Sequence, residues 1–143
     1  MKVKIKKLHK DAIIPTYATE GSACVDLYTI EDYIFKPNEF VKFVRFGISI
    51  EIPEGYYGEI YNRSGLSAKK EIVIISSGII DCDYRGELFI PMRLIADIPV
   101  VSIKKGDRVA QLIIKKYEKI DFKEVVDLNS TKRGFGGFGS TGK

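Results

Sequence analysis

The sequence predicts a single domain of the all-β class, folded as a barrel or a sandwich. Short apolar runs alternate with turn residues along the chain, and no segment shows sustained helical periodicity with a cap. The length of 143 residues and the hydrophobic share of 45% suit one domain with a core and are unlike a disordered chain. Regularly spaced strands without crossover helices are typical of barrels and sandwiches.

The individual strands follow from period-two alternation and from short apolar runs. The expected strands are residues 3–5, 40–46, 48–52, 56–61, 72–76, 87–94, 100–103 and 108–117. Turn chemistry separates them, at residues 36–38, 53–55, 84–86 and 105–107. The strand pattern stops beyond about Val126. We therefore expect a β-domain over residues 1–126 and a flexible, glycine-rich arm over residues 127–143.

No segment predicts a membrane span or a secretion signal. The longest apolar candidate, Ile72 to Ile80, is interrupted by Ser76, Ser77 and Gly78. It is far shorter than the about 20 residues that a membrane span requires. The first ten residues alternate lysine with apolar residues and lack a continuous apolar stretch. We expect a soluble, cytoplasmic protein that does not bind membranes.

The basic charge is concentrated in the C-terminal arm. The chain carries 23 Lys and Arg residues against 19 Asp and Glu residues, a net charge of +4. Residues 129–143 contain three cations, no acid and five of the 13 glycines. A basic arm beside a nearly neutral body favours local recognition of an anion, because proteins that coat nucleic acid spread their basic surface more widely. We therefore expect no stable nucleic-acid binding.

The cysteines and the histidine exclude several classes of site. Cys24 and Cys82 are the only cysteines and His9 is the only histidine. Two cysteines make no disulfide framework, and no Cys/His spacing is present that would hold zinc. His9 lies in a lysine-rich strand, where it is expected to be a surface residue. Cysteine and serine hydrolase mechanisms that need a histidine base are therefore disfavoured.

The arm contains two motif-like patterns that lack their usual context. Residues 134–139 match GxGxxG, and residues 137–143 match the first seven positions of GxxxxGK[ST]. Both motifs work where a glycine loop leads into a helix whose N-terminus faces a phosphate, and no helical pattern follows these glycines. Neither nucleotide-binding fold is therefore expected from them.

The residues of the arm are nevertheless suited to binding a phosphate. Glycines let backbone amides approach a phosphate closely, Ser140 and Thr141 add hydroxyl donors, and Arg133 adds a charged fork. Phe135 and Phe138 have no strand or helix to bury them, so one of them is available to stack on a base. A recognition arm is favoured over a disordered solubilising tail.

Three further polar clusters lie at the ends of expected strands. Asn62-Arg63-Ser64-Gly65-Leu66 offers a guanidinium, a hydroxyl and an unobstructed backbone amide, which suit a phosphate. The stretch 78–87 places Asp81 and Asp83 two residues apart, on one face if extended, which suits a metal or an acid–base pair. A third carboxylate, Asp26, follows a Gly-Ser-Ala-Cys-Val run. Each cluster alone is more often an ordinary loop, so their combination carries the argument.

Together these segments resemble the trimeric deoxyuridine triphosphatases, or dUTP diphosphatases. The five motifs of that family occur in order and cover nearly the whole chain: PTYATEGSACVDL (15–27), NRSGL (62–66), GIIDCDYRGEL (78–88), GDRVAQLII (106–114) and RGFGGFGSTG (133–142). The resemblance implies a jelly-roll-like distorted β-barrel, a homotrimer with sites between subunits, and Mg²⁺-assisted hydrolysis of dUTP to dUMP and pyrophosphate. It also implies that the protein keeps uracil out of DNA and supplies dUMP for thymidylate synthesis.

The resemblance implies that Asp81 is the catalytic base, which activates a water for in-line attack on the α-phosphorus. Asp26 matches the acid that holds Mg²⁺ through waters. Tyr84 matches the aromatic residue that packs under the deoxyribose and leaves no space for a 2′-hydroxyl, whereas Asp83 looks structural. The lack of a nucleophile–histidine pair fits, because cleaving a phosphoanhydride needs charge neutralisation and an aligned nucleophile.

The resemblance also implies three groups of substrate contacts. Main-chain groups of a hairpin around Ile75 to Ile80 are expected to read the uracil edge, with contacts at Ile75, Gly78 and Ile80. The expected phosphate contacts are Arg63, Ser64, Gly65 and Gln111. The arm is expected to close a neighbouring subunit's site, with Phe138 stacking on uracil, Arg133, Ser140 and Thr141 clamping the γ-phosphate, and Gly139 as a further contact.

The sequence departs from the family pattern at three positions. Cys24 stands where glycine is usual, Lys70 where histidine is common, and Ile75 where many bacterial members have asparagine. A cysteine is strained if that position requires a positive φ, and a small shift of Asp26 would then follow. The change at Ile75 matters less, because backbone groups are expected to recognise uracil.

Two other readings remain open from the sequence. A dCTP deaminase, or a bifunctional deaminase-diphosphatase of the same superfamily, needs a carboxylate placed against C4 of the base. That family lacks the RGFGGFGSTG arm, which weighs against it. A small basic β-barrel that binds single-stranded nucleic acid or a regulatory partner needs an aromatic and basic strand face. The acids and phosphate-type loops cluster here instead, which favours the enzyme.

Overall fold

A computed structural model describes residues 1–76, 78–95 and 100–137 of the chain. Strands dominate this part, and the elements in chain order are β1 (Lys4–Lys7), β2 (Thr16–Tyr17), β3 (Val25–Tyr28), β4 (Tyr33–Phe35), β5 (Lys42–Arg45), β6 (Ile48–Glu51), β7 (Tyr56–Asn62), α1 (Ser64–Lys70), β8 (Ile72–Ile74), β9 (Gly78–Ile80), β10 (Phe89–Leu94), β11 (Val101–Ile103) and β12 (Arg108–Lys116). The all-β prediction is confirmed. No helix in the described ranges is long and apolar enough to cross a membrane.

The strands pair antiparallel in four sheets. The largest has the order β2-β3-β12-β7-β9, a second has the order β5-β10-β8, and two pairs join β1 to β6 and β4 to β11. Within the described ranges no sheet closes on itself, so the structure shows antiparallel sheets, and the jelly-roll-like distorted barrel that the resemblance implied remains a prediction.

The hydrophobic core lies between the sheets and follows the predicted alternation. In β10, Ile90, Met92 and Leu94 are buried, whereas Phe89 and Arg93 are exposed. Successive strand residues point to opposite faces, so a period-two pattern buries one face and leaves the other free. The free faces of the strands are therefore available to line clefts.

Helix α1 was not predicted from the sequence. It spans seven residues, has only one buried residue, Leu66, and lacks a side-chain hydrogen bond from its N-cap Arg63. Lys69 and Lys70 occupy its last turn, where cations are favourable, and Glu71 ends it in the left-handed region at φ 51°. Two turns with one buried residue produce no sequence periodicity, which explains the wrong expectation.

The last strand ends within one residue of the predicted strand end at residue 117. β12 ends at Lys116, and residues 117–137 contain no strand or helix. The side chains of Phe122 and Val126 are 92% and 99% exposed. The boundary of the β-domain near Val126 and the arm over 127–143 remain predictions, although the last strand ends ten residues before that boundary.

Candidate active site

The first candidate site centres on the carboxylate of Asp26 in β3. The Nε atom of Arg63 lies 2.9 Å from Asp26 Oδ1, and the guanidinium of Arg108 lies 3.1 Å from Asp26 Oδ2. Asp26 is only 6% exposed, so burial would strongly disfavour its charge without cationic partners. Arg63 immediately precedes α1, and Arg108 begins β12, which pairs with β3. Two arginines from separate segments therefore neutralise one buried carboxylate.

Asp26 and Arg63 line an open cleft of about 310 Å³ together with Ser64, Gly65 and Gln111. Gln111 lies opposite Asp26 in the β3–β12 ladder. Ser64 and Gly65 are the first residues of α1, where backbone N–H groups have no partner within the helix. All five residues were singled out from the sequence, and they come from three of its motifs. Their guanidinium, hydroxyl and amide groups suit an anion.

Cys24 lies in this cleft without backbone strain. Among the described residues other than glycine, a positive φ occurs only at Asn38 and Glu71. The strain that would follow if position 24 required a positive φ is therefore absent. Cys24 and Cys82 are both free thiols and partly buried.

A second cleft, of about 360 Å³, contains Asp81 and Tyr84 together with Gly78 and Ile80. Asp81 follows β9 and is exposed. Within the described part of the chain its carboxylate makes no hydrogen bond and no ion pair, although its backbone oxygen accepts a bond of 3.2 Å from Tyr84 N–H. An unpaired, accessible carboxylate of this kind is able to orient a water and accept its proton.

The segment from Ile75 to Ile80 differs from the expected hairpin. β8 pairs with β10 and β9 pairs with β7, so the segment crosses from one sheet to another. A Cβ at Gly78 would lie 2.7 Å from the backbone oxygen of Ile60, which only glycine permits. Ile75 lines neither cleft: its N–H donates to the Pro91 oxygen at 3.2 Å, and it is 48% exposed.

Two aromatic residues of the second cleft were missed from the sequence. The rings of Phe43 and Phe89 meet edge to face with centroids 5.7 Å apart, and both side chains are about half exposed. They line the same cleft as Asp81 and Tyr84. The sequence contained a usable signal. Both phenylalanines occupy outward positions in strands whose burial alternates, and a large aromatic side chain at such a position calls for an explanation. They give this cleft an apolar wall.

The two clefts are separate within one chain. The ladders of the five-stranded sheet place Val25 of β3 and Gly78 of β9 in one row, three strand spacings apart. At about 4.8 Å per spacing this is a separation of about 14 Å. Asp26 lies one residue from Val25, and Asp81 lies three residues beyond Gly78 in the opposite direction along the strands. The two acids therefore do not meet in one copy of the chain.

Only the beginning of the arm motif is described. The Nε of Arg133 donates to the Gly136 oxygen at 2.9 Å, and the Gly134 N–H donates to the Thr131 oxygen at 3.1 Å, so a turn surrounds this arginine. Phe135 is fully exposed. Arg133 lines neither cleft. The four remaining predicted contacts, Phe138, Gly139, Ser140 and Thr141, lie outside the described residues.

The residues around Asp26 fit a magnesium ion that is held through water. Asp26 is the one carboxylate among the lining residues described for this cleft, and both its oxygens already accept from arginines. The described ranges contain no group of three or more His, Cys, Asp or Glu side chains that could hold a metal. Mg²⁺ keeps several waters and binds one or two carboxylates together with substrate phosphates. These groups therefore fit a magnesium ion that is held through its water ligands, and not one that protein side chains coordinate directly on all sides.

Comparisons with solved structures agree with this architecture. A mutant dUTPase of Staphylococcus bacteriophage 80alpha, solved with dUpNHpp, superposes with a TM-score of 0.92 at 28% identity and covers 99% of both chains. A mutant dUTPase of the S. aureus phage phi11, reported to coordinate a structural Mg(II) ion, gives a TM-score of 0.84 at 25% identity. It covers 91% of this chain and 100% of its own.

Sequence comparisons extend the relationship to bacterial proteins. The deoxyuridine 5′-triphosphate nucleotidohydrolase of Hydrogenobaculum sp. is 44% identical over 144 residues, with 99% of each chain covered. That of a Helicobacter pylori strain is 41% identical and covers 99% of this chain and 97% of its own. The sequence pattern of the dUTPase family matches residues 10–142. Because this match includes the residues of both clefts and the arm, and the relatives align over nearly their whole length, the chain belongs to the dUTPase family.

Proposed function

We propose that the protein is a dUTP diphosphatase, which hydrolyses dUTP to dUMP and pyrophosphate. One observation carries the proposal: in a chain of this family, an anion-binding cleft around Asp26 and Arg63 coexists with an apolar cleft that holds Asp81 and Tyr84. Family membership supports the reaction, and the two clefts supply the phosphate chemistry and the base chemistry that it needs. The expected cellular role is to keep uracil out of DNA and to supply dUMP, in the cytoplasm.

The active unit is proposed to be a homotrimer. A nucleoside triphosphate is one continuous ligand, whereas the phosphate-type and base-type clefts of one chain lie about 14 Å or more apart across the sheet. A neighbouring copy that presents its Asp81 cleft to the Asp26 cleft of the first copy completes a site. The jelly-roll-like barrel and the division into domain 1–126 and arm 127–143 belong to the same proposal.

Asp81 is proposed to be the catalytic base. Its exposed carboxylate orients a water, the water oxygen bonds to the α-phosphorus, and the bond from that phosphorus to the bridging oxygen breaks. Pyrophosphate leaves, and the proton of the water passes to Asp81. No covalent enzyme intermediate is needed, because positioning and charge neutralisation lower the barrier of phosphoryl transfer.

The phosphates are proposed to lie against the Asp26 cleft. Arg63 supplies a positive charge, the first residues of α1, Ser64 and Gly65, supply a hydroxyl and amides, and Gln111 supplies an amide donor. Asp26 would hold Mg²⁺ through waters. When bound to the triphosphate, the ion would neutralise charge that develops on the phosphate oxygens.

The nucleoside is proposed to lie in the Asp81 cleft. Tyr84 packs under the deoxyribose, main-chain groups near Gly78 and Ile80 read uracil, and the Phe43–Phe89 pair forms the apolar wall. Ile75 is proposed to contribute only its backbone. From the arm, Phe138 stacks on the base, and Arg133, Gly139, Ser140 and Thr141 close over the γ-phosphate.

A substrate panel tests the proposed function. Pyrophosphate and ammonia release are measured with dUTP, dTTP, dCTP and UTP in the presence and absence of Mg²⁺. Pyrophosphate from dUTP far above the other nucleotides, with Mg²⁺ dependence, is the expected result. Ammonia from dCTP, or no turnover of any nucleotide, contradicts the proposal. Sedimentation of the same sample tests the trimer, since a monomer that turns over dUTP contradicts a site built between copies.

A further inference from the structure

The side chain of Glu87 anchors the turn that carries Tyr84. Its Oε1 accepts a hydrogen bond of 3.0 Å from the backbone N–H of Gly47, and its two oxygens accept from the Arg45 guanidinium at 2.8–3.2 Å. Arg45 is itself held by Glu31 at 2.8 Å. Charge-assisted pairs with two or more parallel bonds fix geometry as well as add energy. Glu87 is therefore fastened to β5 and to the turn that follows it.

The ring of Tyr84 is held by the main chain of Glu87. Its hydroxyl donates to the Glu87 backbone oxygen at 3.0 Å. The ring also passes so close to Gly86 that a Cβ at that position would lie 2.3 Å from the hydroxyl oxygen. These two contacts are made by residues 86 and 87, so a displacement of Glu87 also displaces the groups that hold the Tyr84 ring.

The rest of the turn has its own anchors. The hydroxyl of Ser49, which is 7% exposed, donates to the Arg85 oxygen at 2.7 Å. The Arg85 guanidinium donates to the Cys82 oxygen at 2.7 Å and to the Tyr84 oxygen at 2.9 Å. Leu88, the next residue, is buried and also anchored, since its N–H donates to the Ile48 oxygen at 2.8 Å and its oxygen accepts from the Phe46 N–H at 3.2 Å. Loss of the Glu87 side chain therefore leaves the turn attached to the core and loosens only residues 86 and 87 beneath the tyrosine ring.

Glu87 also lines the Asp81 cleft beside Tyr84. We propose that Glu87, supported by Arg45, is a positioning residue that acts through Tyr84 to set the discrimination between deoxyribonucleoside and ribonucleoside triphosphates. This inference rests on the proposed function, in which Tyr84 packs under the sugar. A ring held in one place leaves no space for a 2′-hydroxyl, whereas a ring that shifts with residue 87 admits it. Misplacement by about 1 Å changes rates by up to about 100-fold, so small shifts are sufficient.

Steady-state kinetics with dUTP and UTP test the proposal in wild type, Glu87→Ala, Arg45→Met and a matched control, Glu51→Ala. Glu51 pairs with exposed Lys4 at 2.8 Å and lines neither cleft. In Glu87→Ala we expect kcat/KM to rise for UTP and to fall for dUTP, so that their ratio falls about 10-fold. Arg45→Met should lower the ratio less, because the Gly47 bond remains, and Glu51→Ala should not change it.

A double-mutant cycle with Tyr84→Phe shows whether Glu87 acts through the tyrosine. Tyr84→Phe keeps the ring and removes the hydroxyl bond, so Glu87→Ala should change the ratio less in that background. Equal changes in both backgrounds, or equal losses for dUTP and UTP, overturn the proposal. If Glu87→Ala does not fold, Glu87→Gln replaces it, because the amide oxygen still accepts from Gly47 and an intermediate ratio is expected.

The outcomes for the two proposals are distinguishable. A wild-type protein that does not hydrolyse dUTP contradicts the proposed function. A wild-type protein that discriminates strongly against UTP, with the same ratio in Glu87→Ala and Arg45→Met, leaves the proposed function intact and contradicts only the positioning role of Glu87.

Discussion

The side-chain oxygen of Asn62 accepts a hydrogen bond of 2.7 Å from the backbone N–H of Ile74, which ties the end of β7 to β8. The backbone oxygen of Asn62 also accepts a bond of 3.2 Å from the Gln111 amide. Asn62 therefore connects the segment that leads toward Gly78 with the cleft around Asp26, and it contacts both without lining the Asp26 cleft itself.

Asn62→Ala should weaken both the fold and substrate binding. The Ile74 N–H loses its acceptor, so we expect the free energy of unfolding to fall by about 1 kcal/mol. The KM for dUTP should rise, because two regions of the proposed site lose a common support. Urea unfolding and steady-state kinetics measure the two effects. Asn62→Asp retains an acceptor and should keep most of the stability, so an equal loss in both variants contradicts the explanation.

Asp81→Asn should retain nucleotide binding and lose most turnover. The amide is similar in size to the carboxylate but cannot accept the proton of the attacking water, and loss of a general base costs about 10²–10⁴-fold in rate. Asp83→Asn is the matched control, because it lies two residues away and is expected to be structural. Calorimetric binding of a non-hydrolysable analogue, together with pyrophosphate release, separates the effects. Near-normal turnover of Asp81→Asn rules out the assigned role.

Asp26→Asn should weaken the response to magnesium and lower stability. Arg63 and Arg108 lose the charge of their shared partner, and hydrogen bonds to charged groups contribute about 1.5–3 kcal/mol. The Mg²⁺ concentration that gives half-maximal pyrophosphate release should increase, because the carboxylate proposed to hold Mg²⁺ through waters is removed. Titration of Mg²⁺ at saturating dUTP measures this. An unchanged Mg²⁺ response combined with lower stability would assign Asp26 to the fold alone.

Period-two alternation was sufficient to predict most strands, because the burial of Ile90, Met92 and Leu94 is a local property of a strand. Helix α1 escaped prediction because two turns with a single buried residue, Leu66, leave no periodic trace. The pairing of β8 with β10 and of β9 with β7 was also inaccessible, since three residues separate strands that join different sheets. Such pairings depend on contacts between distant segments, which local patterns do not encode.

The motifs placed Arg63, Ser64, Gly65 and Gln111 together around Asp26, and the structure brings these residues into one cleft. The second arginine on Asp26, Arg108, was not predicted, although it lies within the GDRVAQLII segment. Its role depends on the pairing of β12 with β3, which places its guanidinium beside a carboxylate 82 residues earlier in the chain. The sequence reports the types of group present, whereas their partners are set by the sheet register.

Gly78→Ala should damage the junction between β9 and β7. The added Cβ would lie 2.7 Å from the Ile60 backbone oxygen, and backbone cannot yield as a flexible side chain does. Overpacking of this kind costs about 1–3 kcal/mol, and the shift should raise the KM for dUTP. Gly21→Ala is the control for stability, because nothing lies within 4 Å of its Cβ position. Equal urea midpoints for the two variants contradict the steric argument.

Charged and hydroxyl side chains of β7 and β12 form a cluster around the Glu59 carboxylate. Glu59 of β7 accepts hydrogen bonds from Lys115 and Tyr61, and from Tyr57 at 3.1 Å. The Lys115 ammonium and then the Tyr61 hydroxyl hold the pKa of the Glu59 carboxyl below its ordinary value of 4.5. A carboxyl whose pKa is lowered by folding adds stability above its unfolded pKa and loses it as the pH falls through the folded value.

Glu59→Gln should therefore lower the urea midpoint at pH 7 and have a progressively smaller effect below about pH 4.5. Glutamine still accepts the hydrogen bonds, so the difference reports the charge. Because the pair is partly exposed, 0.5 M NaCl should reduce the effect at pH 7. The matched control is Glu54→Gln, since Glu54 is 86% exposed and lies 3.7 Å from Lys119. A difference between wild type and Glu59→Gln that persists unchanged at pH 3 means that shape, and not charge, is responsible.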